Sequence, residues 1–337
     1  MRIIAVDAMG GDNAPSAVVN GCLEALTTRK DLAIRLCGPT QPLTALLQEQ
    51  TYDTDRLSIV EAPDSISNHE SPTMAIRRKT ASSMVVAMMQ LKNGEAQAAV
   101  SAGSTGAWLA GGIFKVGRIK GIDRPALAPA LPTMAGTPCL LLDCGANMDC
   151  KPDYLRQFAV MGSAYMRGVL RVSNPKVGLL NVGAEEEKGN ELVKAASPLL
   201  REQPGIDFSG NVEARDALSG QVQVLVADGF AGNVLLKSTE GAVGFLFAQL
   251  KSAMTSSFLT KLGALLLKPK LREMKHKLDY QEYGGAVLLG IDGVMIKAHG
   301  SSSAHAFARA ILQAADCVDA GIVDSIKAAL AQTPAKA

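Results

Sequence analysis

Six short turns rich in Gly, Ser, Asn and Asp each follow a brief apolar run. They are Asp7-Ala8-Met9-Gly10-Gly11-Asp12, Ser101-Ala102-Gly103-Ser104-Thr105-Gly106, Asp143-Cys144-Gly145-Ala146-Asn147, Asn181-Val182-Gly183, Asp228-Gly229-Phe230-Ala231-Gly232-Asn233 and His299-Gly300-Ser301. Glycine lets backbone N–H groups approach a ligand without Cβ obstruction. At a helix N-terminus such donors favour an anion. Ser101, Gly103, Ser104, Thr105 and Gly106 therefore suit an oxyanion cradle. Gly229, Gly232 and Asn233 form a second candidate, with Lys237 one turn on, and Lys188-Gly189-Asn190 sets a cation beside a turn. A single such turn has a plain structural reading. Several on one sheet edge read as a site, because α/β topology gathers them.

The elements that would position these turns are legible. Apolar runs at 3–6, 32–36, 57–60, 98–100, 140–142, 177–180, 222–226 and 294–297 read as strands. Near-continuous apolar strands imply burial on both faces, and their alternation with helical stretches implies a mostly parallel sheet. In such sheets ligands bind outside the carboxyl ends of the strands, where these polar turns lie. After Asn13, expected to cap, and Pro15, the residues Val18, Val19, Cys22, Leu23 and Leu26 repeat at helical spacing. From 239 to 279 the pattern becomes purely helical: Val243, Leu246, Phe247, Leu250 and Met254 share one face. Phe258, Leu262, Leu265 and Leu266 continue it, and Pro269 is expected to break or kink the helix there. The expected organisation is one large α/β domain over 1–330, with a helical excursion at about 239–280 and a short tail at 331–337.

Composition narrows the function. Lys plus Arg is 34 and Asp plus Glu is 32, so the net charge of +2 supplies no field for nucleic acid. No apolar run approaches the roughly 20 residues that span a bilayer, and the first residues lack a signal-peptide pattern. Six Cys in 337 residues are no disulfide framework, so a cytoplasmic protein with reduced thiols is expected. Cys139, Cys144 and Cys150 lack zinc spacing and read as small core residues. Four scattered His hold no metal, and only His299 ends a strand at the presumed active edge. The P-loop, the G-x-G-x-x-G turn, the H-E-x-x-H helix and the G-x-S-x-G elbow are all missing. Neither a metal nor a cofactor is expected.

In this order the motifs resemble the bacterial phosphate acyltransferase (PlsX) family. The matching signatures include Ala5 through Asp12, Ala75-Ile76-Arg77-Arg78-Lys79, Gly117-Arg118-Ile119-Lys120-Gly121-Ile122-Asp123-Arg124-Pro125-Ala126, and Gly145-Ala146-Asn147. Leu180-Asn181-Val182-Gly183, Lys188-Gly189-Asn190-Glu191, Asp228-Gly229-Phe230 and Gly232-Asn233-Val234 come next. Tyr283-Gly284-Gly285-Ala286 and Ile296-Lys297-Ala298-His299-Gly300-Ser301 complete a match that covers nearly the whole chain. The chain departs from the family pattern at Asn13, usually His, at Ser104, usually Asn, and at Ala231, usually Thr. The resemblance implies a three-layer α/β/α sandwich like isopropylmalate dehydrogenase and phosphotransacetylase, with a helical hairpin and usually dimeric. It implies the reaction of acyl-[acyl carrier protein] with inorganic phosphate to give acyl phosphate and free carrier for phospholipid synthesis.

That chemistry suits these residues. Phosphate is already an anionic nucleophile and needs positioning more than deprotonation. A thiol of pKa around 8.5 leaves without a strong acid. Ser101, Gly103, Ser104, Thr105 and Gly106 are expected to hold phosphate, with Lys188 as compensating charge. Asn233 and Asn147 would orient phosphate or donate to the oxyanion, and His299 would relay or donate a proton. Asp7, Gly10, Gly11, Gly229 and Gly232 complete the expected substrate site.

The stretch from Lys251 to Lys277 carries Lys251, Lys261, Lys268, Lys270, Arg272, Lys275 and Lys277 among Phe258, Leu259, Leu262, Leu265, Leu266 and Leu267. A basic amphipathic helix of this kind can lie on an anionic membrane or, as a solvated helix, pack on a dimer partner; the family resemblance implies peripheral association with the inner face of the cell membrane. Phe258, Leu259, Lys261, Leu262, Leu266 and Lys268 are the expected contacts. Arg77, Arg78, Lys79, Lys115, Arg118, Lys120 and Arg124 offer an acidic carrier protein a basic surface. Rival readings are a phosphotransacetylase-like enzyme using coenzyme A thioesters, a decarboxylating dehydrogenase of the same fold, and a non-catalytic membrane-docked scaffold for the carrier.

Overall fold

Strand order gathers the polar turns. The computed structural model describes residues 1–278 and 280–332, with side chains described outside 275–281. One sheet contains β1 (Arg2–Asp7), β2 (Leu32–Gly38), β3 (Leu57–Glu61), β4 (Ala98–Ser101), β5 (Ala126–Ala128), β11 (Ala286–Leu289) and β12 (Val294–Lys297). Its order is β3-β2-β1-β4-β12-β11-β5. The other contains β6 (Ala130–Leu131), β7 (Cys139–Leu142), β8 (Lys176–Asn181), β9 (Asp207–Glu213) and β10 (Val224–Val226), in the order β6-β7-β10-β8-β9. The chain passes from one sheet to the other at Pro129, whose carbonyl accepts from Leu141 N–H at 3.0 Å.

The long strands are parallel, as their apolar character predicts, and register aligns their carboxyl ends. Val6 lies beside Val100, Ser101 beside Lys297, and Leu142 beside Val226. Alternate side chains enter different cores. Ile4, Val6, Ala98, Val100, Val294 and Ile296 join one cluster; Ala5, Ala99 and Met295 join another. The first is covered by α1 (Ser16–Thr28) and α10 (Ala304–Asp319), the second by α4 (Ser83–Lys92) and α5 (Thr105–Gly111). Over the second sheet α6 (Pro152–Gly168) buries Leu155, Phe158, Met161 and Tyr165. The eight apolar runs all form strands. Sequence reasoning passed over β5 and β6, which are only three and two residues long, β9, a polar strand with an irregular register, and β11, whose apolar run Ala286–Leu289 resembles those of the strands it found.

Three local expectations are corrected. Asn13 does not cap α1. Pro15 takes that position, and the Asn13 amide instead donates to the carbonyls of Ser301 and Ser302, both at 3.2 Å. The helical excursion begins ten residues earlier than its pattern suggests, since α8 spans Gly229–Met254 and α9 spans Phe258–Leu278. Pro269 lies inside α9 without ending it. Of the α8 residues only Gly229 and Gly232 are buried, so the helix leaves the core after its first turn. Val243, Phe247, Leu250 and Met254 form its half-buried stripe, but Leu246 and the α9 face of Phe258, Leu262, Leu265 and Leu266 are exposed. The side chains of Lys275 and Lys277, and residues 333–337 of the expected tail, lie outside the described set.

Candidate active site

The floor of the site comes from three adjacent strands. Ser101 Oγ donates to Asp7 Oδ2 at 2.6 Å and accepts from Gly103 N–H at 2.9 Å. Both side chains are buried. Burial pushes the Asp7 carboxyl upward, against the hydrogen bonds from Ser101, Ser83 and Met9 N–H. Beside them Lys297 is 7 % exposed. Its ammonium donates to the carbonyls of Ala102 at 3.2 Å and Ala298 at 2.5 Å. Burial pushes this ammonium down to about 8, against the more distant charges of Asp7 and Asp12. Glycine is required here for space: a Cβ at Gly10 would overlap Asp7 Oδ2 and stand 2.7 Å from Gly103 N. Gly11 has φ +107°, and Asp12 N–H then donates to Gly300 O at 2.8 Å, tying the β1 and β12 turns together.

The opposite wall is the turn after β7 with the start of α8. The buried Asp143 carboxylate accepts from the N–H groups of Leu127 (2.9 Å), Ala146 (3.3 Å) and Asn147 (2.6 Å). Asn147 Nδ2 donates to Asp143 Oδ2 and to Pro125 O. Asp228 caps α8 by accepting from Ala231 N–H at 2.7 Å. A Cβ at Gly232 would overlap the Asp143 carbonyl, so glycine allows helix and turn to touch.

Between the walls lies a cavity of about 400 Å³. Gly103, Thr105, Asn233, Lys237, Lys297 and His299 line it with polar groups, while Leu127, Pro129, Ala130, Cys144, Met148 and Leu236 line it with apolar ones. Lys237 is paired with Glu240 at 2.7 Å. His299 Nδ1 accepts from Ser301 N–H at 3.2 Å, which assigns the proton of the neutral ring to Nε2. Burial lowers the pKa of this imidazole, helped by Lys237 and Lys297, so the ring is neutral near pH 7.

The structure sorts the sequence candidates. Gly103, Thr105, Asn233 and His299 line one cavity. Asp7, Gly10, Gly11 and Ser101 stand directly behind it. Ser104 caps α5, accepting from Ala107 N–H at 3.4 Å, and Gly106 packs on Pro72. Gly229, Gly232 and Asn147 hold α8 to the Asp143 turn, and the Asn147 amide donates to the Asp143 carboxylate and to Pro125 O. Lys188 is exposed on the loop after β8 and is not among the lining residues. Sequence reasoning passed over Lys297 and Asp143. The available signal for Lys297 was a cation closing the buried run Val294-Met295-Ile296, two residues before His299. Cys139 and Cys144 are buried, as expected, whereas Cys150 is only half-buried, and all six thiols are free. Among the described residues no cluster of His, Cys, Asp and Glu is placed to hold a metal.

Two mostly parallel sheets covered by helices, with a cavity outside their carboxyl ends, define an α/β/α protein of the phosphotransacetylase fold. A phosphotransacetylase from Streptococcus pyogenes superposes with a TM-score of 0.62 at 16% identity, over 94% of each chain. The chain belongs to the phosphate acyltransferase family: residues 2–325 match the family model described as "Fatty acid synthesis protein". It is 52% identical over 324 residues to the phosphate acyltransferase of Clostridium acetobutylicum, covering 96% of this chain and 97% of that one. With that of Clostridium novyi it shares 50% over 332 residues, covering 98% and 99%.

Proposed function

We propose that the chain transfers a long-chain acyl group from the thiol of acyl carrier protein to inorganic phosphate, giving an acyl phosphate for phospholipid synthesis. The observation that carries this is the mixed lining of the cavity. Gly103, Thr105, Asn233, Lys297 and His299 border the same volume as Leu127, Ala130, Met148 and Leu236, so phosphate and an acyl thioester can meet there. A phosphate oxygen attacks the thioester carbon, the C–S bond breaks, and the proton of monohydrogen phosphate ends on the departing sulfur. Gly103 and Thr105 hold phosphate, with Asp7, Gly10, Gly11 and Ser101 keeping the turn in shape. Asn233 and the His299 Nε2–H donate to the oxyanion, the step where aligned donors count most. The acyl chain lies along Leu127, Ala130, Met148 and Leu236. Both sheets act as one catalytic unit over 1–330.

Release of carrier thiol from a long-chain acyl carrier substrate tests the proposal. It should depend on phosphate, with acyl phosphate as product; release at the same rate without phosphate sinks it. The phosphotransacetylase fold favours a second reading, in which coenzyme A thioesters are the donors. Equal or faster turnover of those thioesters selects it.

Two surfaces support the setting. Arg77 stacks over the Phe114 ring at 5.4 Å, which brings the exposed Arg77 and Arg78 beside the segment carrying Lys115, Arg118, Lys120 and Arg124. Lys79 is engaged by Glu70 at 2.9 Å and adds less. This basic ridge docks the acidic carrier. No helix among the described residues is long and apolar enough to cross a membrane. Phe258, Leu259, Leu262 and Leu266 are nevertheless exposed, and Lys261 and Lys268 border the groove between α8 and α9. We place the enzyme in the cytoplasm as a homodimer, its hairpin shared between a second copy and the inner face of the membrane.

A further inference from the structure

We propose that Lys297 is the cation that binds and neutralises the incoming phosphate. The inference rests on the reading that the cavity takes phosphate, and it names a ligand group for it that the turn motifs did not reveal. Three lysines are candidates. Lys188 is exposed and outside the lining. Lys237 lines the cavity, but its side chain is 52% exposed and its charge is met by Glu240 at 2.7 Å. Lys297 lines the cavity at 7 % exposure, and both bonds of its ammonium go to backbone carbonyls. No carboxylate lies within ion-pair distance of it among the described residues.

A buried ammonium without a carboxylate is costly, because two carbonyl dipoles only partly replace its water. An apolar side chain at the end of β12 would avoid that cost. The arrangement becomes favourable when an anion enters the cavity. An ammonium has three donors. Two are turned to Ala102 O and Ala298 O, and the side chain that carries the third lines the cavity. The Ala102 carbonyl belongs to the same turn as Gly103 and Thr105, so cation and turn donors border one volume. The thioester is uncharged and needs no counter-ion, whereas the phosphate dianion does. Burial has already pushed the ammonium down to about 8. The charged or titratable groups around it are Asp7 on β1, Asp12 on the following turn, Lys237 and Glu240 on α8, Cys144 after β7 and His299 after β12. Asp7 and Asp12 favour the charged form and Lys237 opposes it. Phosphate is dianionic above neutrality, so further loss of binding at alkaline pH would report the ammonium.

The test is calorimetric binding of inorganic phosphate to the full chain between pH 7 and 9.5, with KM for phosphate and for acyl carrier substrate measured in parallel. Affinity should fall about tenfold per pH unit above about 8, as expected for one required proton. Lys297→Met should weaken phosphate binding at least tenfold and leave KM for the acyl carrier within about twofold, a split that mere misfolding would not produce. Lys297→Arg should keep binding and lose the alkaline decline, since guanidinium does not titrate there. Flat affinity up to pH 9.5 in the unmodified protein overturns the inference, as does unchanged phosphate affinity in folded Lys297→Met. If neither variant folds, the pH series on the unmodified protein decides alone. Absence of phosphate binding at every pH would instead overturn the phosphate reading of the cavity.

Discussion

At the scale of single residues, burial makes the site electrostatically active. The carboxyl of Asp7 is pushed up and the ammonium of Lys297 pushed down by the same desolvation, each moderated by the other's charge. Replacing Asp7 by Asn removes the largest opposing charge from Lys297, so the alkaline decline in phosphate binding should move to lower pH in Asp7→Asn. The same substitution carries a stability signature. A carboxyl raised on folding gives stability that is fully present below its unfolded value of 3.8 and is lost as pH rises through its folded value. The Tm advantage of the unmodified protein over Asp7→Asn should therefore shrink between pH 4 and pH 7; an advantage that grows across that window would show the sign to be wrong. Burial lowers the pKa of His299, so any donation it makes to the oxyanion is expected from the neutral ring. His299→Ala should lower kcat by about 10²–10³-fold if its Nε2–H serves the oxyanion, and His299→Gln, which keeps a donor, should lose less.

At the scale of elements, α8 does two jobs at opposite ends. Its first turn is seated on the Asp143 turn through Gly229 and Gly232, and this seat aims Asn233 and Leu236 into the cavity. Gly232→Ala would force helix and turn apart, with an expected destabilisation of about 1–3 kcal/mol and a fall in kcat, read by denaturant unfolding and turnover. The far end carries the hairpin. Burying a Phe or Leu side chain contributes about 1.5–3 kcal/mol, and a lysine near an anionic surface about 1 kcal/mol. Apolar insertion should therefore dominate any membrane binding. In flotation with anionic vesicles, Phe258→Ser with Leu266→Ser should abolish association, whereas raised salt should only weaken it. Association unaffected by the double substitution would remove this face from membrane contact.

At the scale of the whole molecule, the carrier and the membrane are expected to engage different segments. The basic ridge lies on the segment from α3 (Pro72–Arg78) to Arg124, and the apolar hairpin begins at α8. Arg78→Glu should raise KM for the acyl carrier substrate several-fold at low salt, leave KM for phosphate unchanged, and lose its effect as salt screens the surface. A salt-independent effect would place docking elsewhere.

What the sequence alone determined is local. Alternation, glycine position and turn chemistry are set within a few residues, so the eight main strands, the polar turns after them and the helical excursion were all readable from it. Family membership was legible for a related reason: many short motifs in a fixed order are specific together. Burial and partnership were decided only by the tertiary structure. Strand order and register put Lys297 beside Ser101 and left Lys188 outside the lining. They also set Asn147, Gly229 and Gly232, expected as substrate groups, in the contacts that seat α8 on the Asp143 turn. A side chain's chemistry depends on what excludes water from it, and those neighbours arrive from strands nearly two hundred positions away in the chain.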